Sequence, residues 1–346
     1  MLEREFALIS DPTLALRHPT IKEYNRQSKL YAEFCRQFHI SHTAPIQEKH
    51  LCAYLSLRAR THSVFTIRST VSALASWHVT QFNMPLPRSH LLCQTLRNLR
   101  QLYAARDMPT QSSVLEPHDL LSIRASLPSS YQNFSLWTCC LLLFWGIFRI
   151  GEILFKQQPS DSPIPQLPAL TWGQLTFSSR GVTVTLSRDK THNHPVKICI
   201  ASRPQDVFLC IVTALQRLFD LTPIHLRSPD CPVFRTYDPY STPKTQRAHI
   251  ALTADTFVRR FRIALRSAGH HDPDSFSGQG FRRSGTTFML RSGVPAEVVR
   301  HHGRWSPTST TFQRYLAAAA AWDATSLQRP TSPTHHRPHH ISCLRS

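Results

Sequence analysis

A chain of 346 residues, 41% hydrophobic and 18% charged, has the composition of a globular protein and not of a disordered or collagen-like one. Its length exceeds what one core usually organises, so two domains are expected. Lys and Arg number 40 against 21 Asp and Glu, a net charge of +19. That excess favours a polyanionic partner, nucleic acid first and an acidic membrane surface second.

Residues 1–18 show little periodicity, and MLEREFALIS lacks the long apolar stretch of a signal peptide. From Pro19 a long amphipathic helix is predicted, with Tyr24, Tyr31, Phe34 and Phe38 on one stripe and Lys22, Arg26, Lys29 and Arg36 mostly elsewhere. A second helix is expected from Pro45 through Leu57. A third, TIRSTVSALASWHV, sets Ile67, Val71, Leu74 and His78 on one face. A fourth, Ser89 to Tyr103, sets Leu92, Leu96, Leu99 and Tyr103 together with Arg97 and Arg100 beside them. Together they predict an all-α module with basic edges over 19–106.

The polar, Pro-containing stretch RDMPTQSSVLEPHD reads as a linker, placed at 107–117. A helix over 118–126 follows, then an apolar run from Leu136 to Phe148 that ends at Arg149. A membrane-spanning helix needs ~20 apolar residues, so this run is a core helix. LTWGQLTF, GVTVTLSR and PVKICIA alternate and are rich in β-branched residues, predicting a small antiparallel meander. Helices resume near Asp206–Phe219, Thr253–Ala268, Phe281–Ser292 and Pro295–His302, with Gly293 and Gly303 placed as C-terminal caps. The second domain runs over 118–325, and 326–346, rich in Pro and His, reads as a disordered tail. The fold class is mainly α with a small antiparallel sheet. The 9 cysteines include no CxxC pair and read as buried, reduced thiols of a soluble intracellular protein, nuclear if eukaryotic and otherwise cytoplasmic.

Three segments carry chemistry. In FWGIFRIGE, a guanidinium ending an apolar run needs an anion: Arg149 either pairs with Glu152, three residues on, or grips a phosphate. In GQGFRRSGTTFMLRSGVP, Arg282 and Arg283 are adjacent, so only one of them faces inward on a helix. In HHGRWSPTSTTFQRYLAAAAAW, Trp305 follows a glycine cap and Tyr315 leads into an alanine helix, either packing or serving as a nucleophile. His301-His302 and His335-His336 are too generic to mark a metal site.

The order of these segments resembles the tyrosine recombinase (phage integrase) family: an Arg in an FRIGE context, a β-hairpin lysine, a GFRR helix, a G-x-W turn and a terminal tyrosine. The stretch FSGQGFRRSGTTFMLRSGVP…HGRWSPTSTTFQRYL is nearest to recombinases of eukaryotic DIRS-like and Crypton-like mobile elements. The likeness spans about residues 20–322. It implies a SAM-like core-binding bundle and a catalytic domain forming a C-shaped clamp around double-stranded DNA. It also implies a homo-oligomer on that DNA and neither cofactor nor metal. Arg149 and Arg282 match the two arginines that hold the scissile phosphate, Lys190 the hairpin lysine that protonates the leaving 5′ oxygen (Lys197 being its rival), and Trp305 the His or Trp beside the nucleophile. Tyr315 matches the nucleophile that forms a 3′-phosphotyrosine. Lys22, Arg26, Lys29, Arg68, Arg97 and Arg100 are candidate phosphate contacts, or else solvated helix faces. Two departures stand out. Gln279 occupies the position of the family's HxxR histidine and can hydrogen-bond but not shuttle a proton; Glu152, which supports that histidine in the family, is then expected to orient Gln279. The Trp305–Tyr315 spacing is also a residue longer than in bacterial members. A recombinase-derived DNA-binding protein that no longer cuts, or a type IB topoisomerase-like enzyme, are the alternatives.

Overall fold

The computed structural model describes residues 18–107, 114–155, 169–187, 194–237 and 249–326. The expected N-terminal extension, much of the linker, Lys190 and the tail beyond Ser326 lie outside the described residues. The chain divides into two compact units, 1–110 and 111–346.

Among the described residues the first unit holds four helices: α1 His18–Gln37, α2 Glu48–Ala59, α3 Val64–Phe82 and α4 His90–Leu102. Ser63 opens α3 by accepting from the Thr66 N–H, and Asn83 closes it with φ 51, a conformation asparagine tolerates. The expected stripes point inward. Tyr31, Phe34, Ile67, Val71, Leu74, His78, Leu92 and Leu99 are buried, whereas Phe38 ends its stripe half exposed. Buried His78 is satisfied on both ring nitrogens: Nε2 accepts from the Ile46 N–H at 3.1 Å and Nδ1–H donates to the Met84 carbonyl at 2.8 Å. Asp107 caps α3 from outside, accepting from the Val64 N–H at 2.6 Å.

The second unit is built on α6, Tyr131–Trp145, buried all round from Ser135 onward as an apolar helix at the centre of a core must be. Before it lies α5, Pro117–Ser126. Beyond it come a short turn α7, Ile150–Ile153, and strands β1 Leu175–Ser178, β2 Gly181–Leu186 and β3 Val196–Ala201. The strands form an antiparallel meander of order β1-β2-β3, with Leu186 opposite Val196. Val182, Val184, Leu186, Ile198 and Ile200 face the core, while Lys197 and Cys199 face solvent. Then follow α8 Ile211–Leu221, a second antiparallel pair β4 Arg235–Tyr237 and β5 His249–Ala251, α9 Ala254–Ser267, α10 Gly278–Arg291, α11 Ala296–His302 and α12 Thr310–Ser326. The pair β4–β5 is not legible as strands in the sequence. Cys93 and Cys199 are exposed, against the expectation of buried thiols; Cys35, Cys52, Cys139, Cys140 and Cys210 are buried. Among the described residues no helix is long and apolar enough to cross a membrane.

Two departures from the expected helices shape the site. The apolar helix ends at Trp145 rather than Phe148. Gly146 closes it, the Phe148 ring folds back to where a Cβ on Gly146 would stand 2.0 Å away, and Ile147 turns the chain at φ 50. A β-branched residue in the left-handed region is strained, and such strain clusters at functional sites. Arg149 is therefore not on the apolar helix but in extended backbone (φ −75, ψ 137) as the N-cap of α7. Likewise Gly303 caps α11 at φ −80, and the left-handed residue is Arg304, φ 58. Gly293 does take the expected positive φ, 80.

Helix α10 packs on α6 and α12. Gly285 makes the close approach to α6: a Cβ there would sit 2.1 Å from the Phe144 carbonyl oxygen. Because that neighbour is backbone, Gly285→Ala should force the helices apart. A loss of about 1–3 kcal/mol is expected in denaturant unfolding, and an unchanged midpoint would contradict the helix contact.

Candidate active site

Arg282 is the centre of the site. It lies on the buried face of α10, 3% exposed, while neighbouring Arg283 is only partly buried. One arm, Nη1, donates to the Ile147 carbonyl at 2.5 Å, and Nη2 donates to the Gly303 carbonyl. The two carbonyls adjoin the two strained turns, so one guanidinium fastens both. A guanidinium has five N–H groups, so three remain beyond these bonds. Its carbon stands 4.2 Å over the Trp305 ring, a cation–π contact. Burial first, then nearby Arg149 and Arg304, press its pKa down to about 9, while Glu152 and Tyr315 pull the other way. A buried guanidinium crowded by other cations is stabilised by an incoming anion.

Glu152 organises the arginines. Its Oε1 accepts from Arg149 Nη1 at 2.6 Å, and its Oε2 accepts both from the Arg149 backbone N–H at 2.8 Å and from Arg304 Nη2 at 2.6 Å. The Arg149–Glu152 pair anticipated from sequence is formed. The expected contact between Glu152 and Gln279 is not: both carboxylate oxygens are occupied, and Gln279 is exposed at the start of α10 without a side-chain hydrogen bond among the described residues.

Trp305 is buried, with the Gly303 position directly beneath its ring: a Cβ there would stand 1.7 Å from it. The Tyr315 ring meets Trp305 edge-on, centroids 5.6 Å apart, and Phe312 lies 5.2 Å away on the same helix. Tyr315 is partly exposed in a small apolar cluster with Ile147, Val299 and Phe312.

Arg149, Glu152, Arg282, Trp305 and Tyr315 are thus brought together, Gln279 stands one turn before Arg282 without engaging them, and Lys190 lies outside the described residues. Sequence reasoning missed two residues. Arg304 was only the middle position of the G-x-W turn, yet its side chain is 4% exposed and bonds Glu152. His302 was dismissed as generic, yet its Nε2–H donates to the Trp145 carbonyl at 2.9 Å. Burial pushes its pKa down, with Arg304 and Arg282 adding to the shift and the Trp145 hydrogen bond opposing it. A charged residue set between a helix-capping glycine and a buried tryptophan was the available signal for Arg304.

In the first unit Lys22, Lys29, Arg68, Arg97 and Arg100 are exposed. Arg26 is exposed as well, but its fork is committed to Glu23 at 2.8 and 2.9 Å, which with Gln27 holds that carboxyl at about 2.

No family model and no curated protein matches the chain. Solved structures do. The chain is similar to the lambda integrase dimer bound to a COC′ core site, with 16% identity, 91% of this chain and 93% of that one covered, and TM-score 0.52. It is similar to the Tn1549 transposon integrase in complex with circular intermediate DNA, with 13% identity, 91% and 95% covered, and TM-score 0.58. It is also similar to XerH site-specific recombinase in a post-cleavage complex with palindromic difH substrate, with 14% identity, 82% and 72% covered, and TM-score 0.53. The fold is therefore that of the tyrosine recombinases and integrases.

Proposed function

We propose that the chain binds duplex DNA and breaks and rejoins it through Tyr315, as a recombinase of a mobile element. The observation that carries this reading is the convergence of Arg149, Arg282 and Tyr315 about a buried Trp305, where burial together with Arg149 and Arg304 lowers the Arg282 pKa. Planar guanidinium forks match the two non-bridging oxygens of a phosphodiester and stabilise the charge of a pentacoordinate transition state. The Tyr315 oxygen attacks phosphorus, the P–O5′ bond breaks, and a 3′-phosphotyrosine forms. Lys190 protonates the departing 5′ oxygen. The phenol proton passes to solvent, since Gln279 has no basic atom to receive it. Attack by a 5′ hydroxyl reverses the step without an external energy source. One of the solved structures above is a dimer on DNA, and a homo-oligomer on DNA, dimer or tetramer, is proposed here.

The test is a library of nicked duplexes of randomised sequence, in which the short downstream fragment bearing the freed 5′ hydroxyl diffuses away after cleavage. The chain is expected to leave an SDS-stable adduct whose peptide map carries the nucleotide on Tyr315. Salt-dependent binding without adduct favours a second reading, a recombinase-derived DNA-binding protein, for which the disengaged Gln279 is the supporting observation. No binding at low salt overturns both.

The exposed cations of the first unit give a further expected result. Lys29→Ala and Arg97→Ala should each reduce the slope of log affinity against log salt by about 0.9. Arg26→Ala should change it less, its charge being already neutralised by Glu23. Fluorescence anisotropy from low to moderate salt measures this, and equal slopes for all four proteins would remove these residues from the interface.

A further inference from the structure

We infer that Arg304 is a positioning residue for strand cleavage, acting through the Glu152 carboxylate to hold Arg149 in its phosphate-gripping attitude. The inference rests on the Tyr315 cleavage chemistry proposed above. Glu152 is 8% exposed and receives donors on both oxygens. With Oε1 on the Arg149 fork and Oε2 shared by the Arg149 backbone and Arg304, the carboxylate plane is fixed from two sides. Without Arg304, Oε2 keeps only the backbone N–H, and the carboxylate loses the cation opposite Arg149 that opposes its rotation. The Arg149 fork then loses its fixed bearing. The placement of Arg304 is costly in ways that packing alone does not require. A guanidinium is buried over the Phe148 ring, 5.3 Å from its centroid, on left-handed backbone.

The surrounding turn multiplies the effect. Gly303 offers its carbonyl to Arg282, Arg304 reaches Glu152, and Trp305 covers the Arg282 guanidinium, all within three consecutive residues. Arg300 pins the end of this turn by donating to the Trp305 carbonyl at 2.8 Å. Arg149 and Arg282, the two phosphate grips, are thereby registered to each other through one turn. The Glu152 support that the family resemblance directs to the HxxR position goes instead to an arginine. This device holds geometry and moves no proton.

Arg304→Gly is the decisive variant, because glycine accepts the φ of 58 without strain. The full chain and its variants are compared on a nicked duplex recovered from the trapping library. Duplex affinity is read at fixed salt, and adduct formation at saturating protein. Arg304→Gly is expected to form adduct about 10²-fold more slowly, as for a grip displaced by about 1 Å, with affinity within about threefold. Guanidinium ion added to solution, or Arg304→Lys, should restore a substantial part of the rate. In a Glu152→Gln background the further loss on Arg304→Gly should shrink to a few-fold, since the two substitutions break one linkage. Wild-type adduct rates for Arg304→Gly, or an undiminished loss in the Glu152→Gln background, overturn the inference while leaving Tyr315 cleavage standing. Absence of adduct from the unsubstituted chain overturns the cleavage reading and this inference with it. If Arg304→Gly melts early, the Arg304→Lys rate decides: a rate as low as that of Glu152→Gln overturns the inference.

Discussion

Tyr315→Phe is expected to abolish the covalent adduct while leaving both the fold and duplex affinity intact. The substitution removes one oxygen and keeps the ring, so the edge-on contact with Trp305 and the cluster with Ile147, Val299 and Phe312 persist. The Tyr315 hydroxyl makes no hydrogen bond among the described residues, so no partner is stranded by its loss, and unfolding free energy should move by less than about 1 kcal/mol. The chemistry has no such tolerance, since a nucleophile cannot be replaced by positioning alone, and adduct formation should fall to background. Persistence of an adduct in Tyr315→Phe would assign the nucleophile to another residue and end the reading of α12 as its carrier.

Arg282→Ala carries the second large effect, and here function and stability should part company. A preorganised donor aimed at transition-state charge is worth about 10²–10³ in rate, and adduct formation should fall by that factor or more. Two opposing terms act on stability. The Ile147 and Gly303 carbonyls lose their donor, at about 1–3 kcal/mol each for a buried unsatisfied group. Against this, the fold no longer has to bury a guanidinium crowded by Arg149 and Arg304, whose mutual repulsion is part of what holds the Arg282 pKa near 9. The melting temperature should therefore shift by only a few degrees, while the rate collapses. Arg282→Lys should recover little, because one ammonium cannot span both carbonyls and face a phosphate as well. Adduct formation within threefold of the unsubstituted rate in Arg282→Ala would reduce Arg282 to a structural strap.

The local parts of this molecule are legible in its residue pattern. The stripe Ile67–Val71–Leu74–His78, the buried apolar helix around Cys139 and Cys140, and the alternation of β2 and β3 follow from side-chain period, and period is a property of neighbouring residues. The strands β4 and β5, each only three residues long, carry too little alternation to register. The end of the apolar helix escapes the pattern for a related reason. Hydrophobicity continues through Ile147 and Phe148, but the chain leaves the helix at Gly146 because the Phe148 ring needs the space a side chain there would fill.

The sequence by itself determined most of the helices, the three-stranded meander, the main buried stripes, and the order in which two arginines, a tryptophan and a tyrosine occur along the chain. Only the tertiary structure decided whom those side chains meet. Glu152 chose Arg304, 152 positions away, over Gln279, and Arg282 bridged carbonyls 135 and 21 positions distant. The reason is physical. Helix and strand preferences are set within a turn or two of the chain, whereas the partner of a buried charge is set by which groups the folded core leaves within about 3 Å of it, where low polarity makes any other arrangement costly.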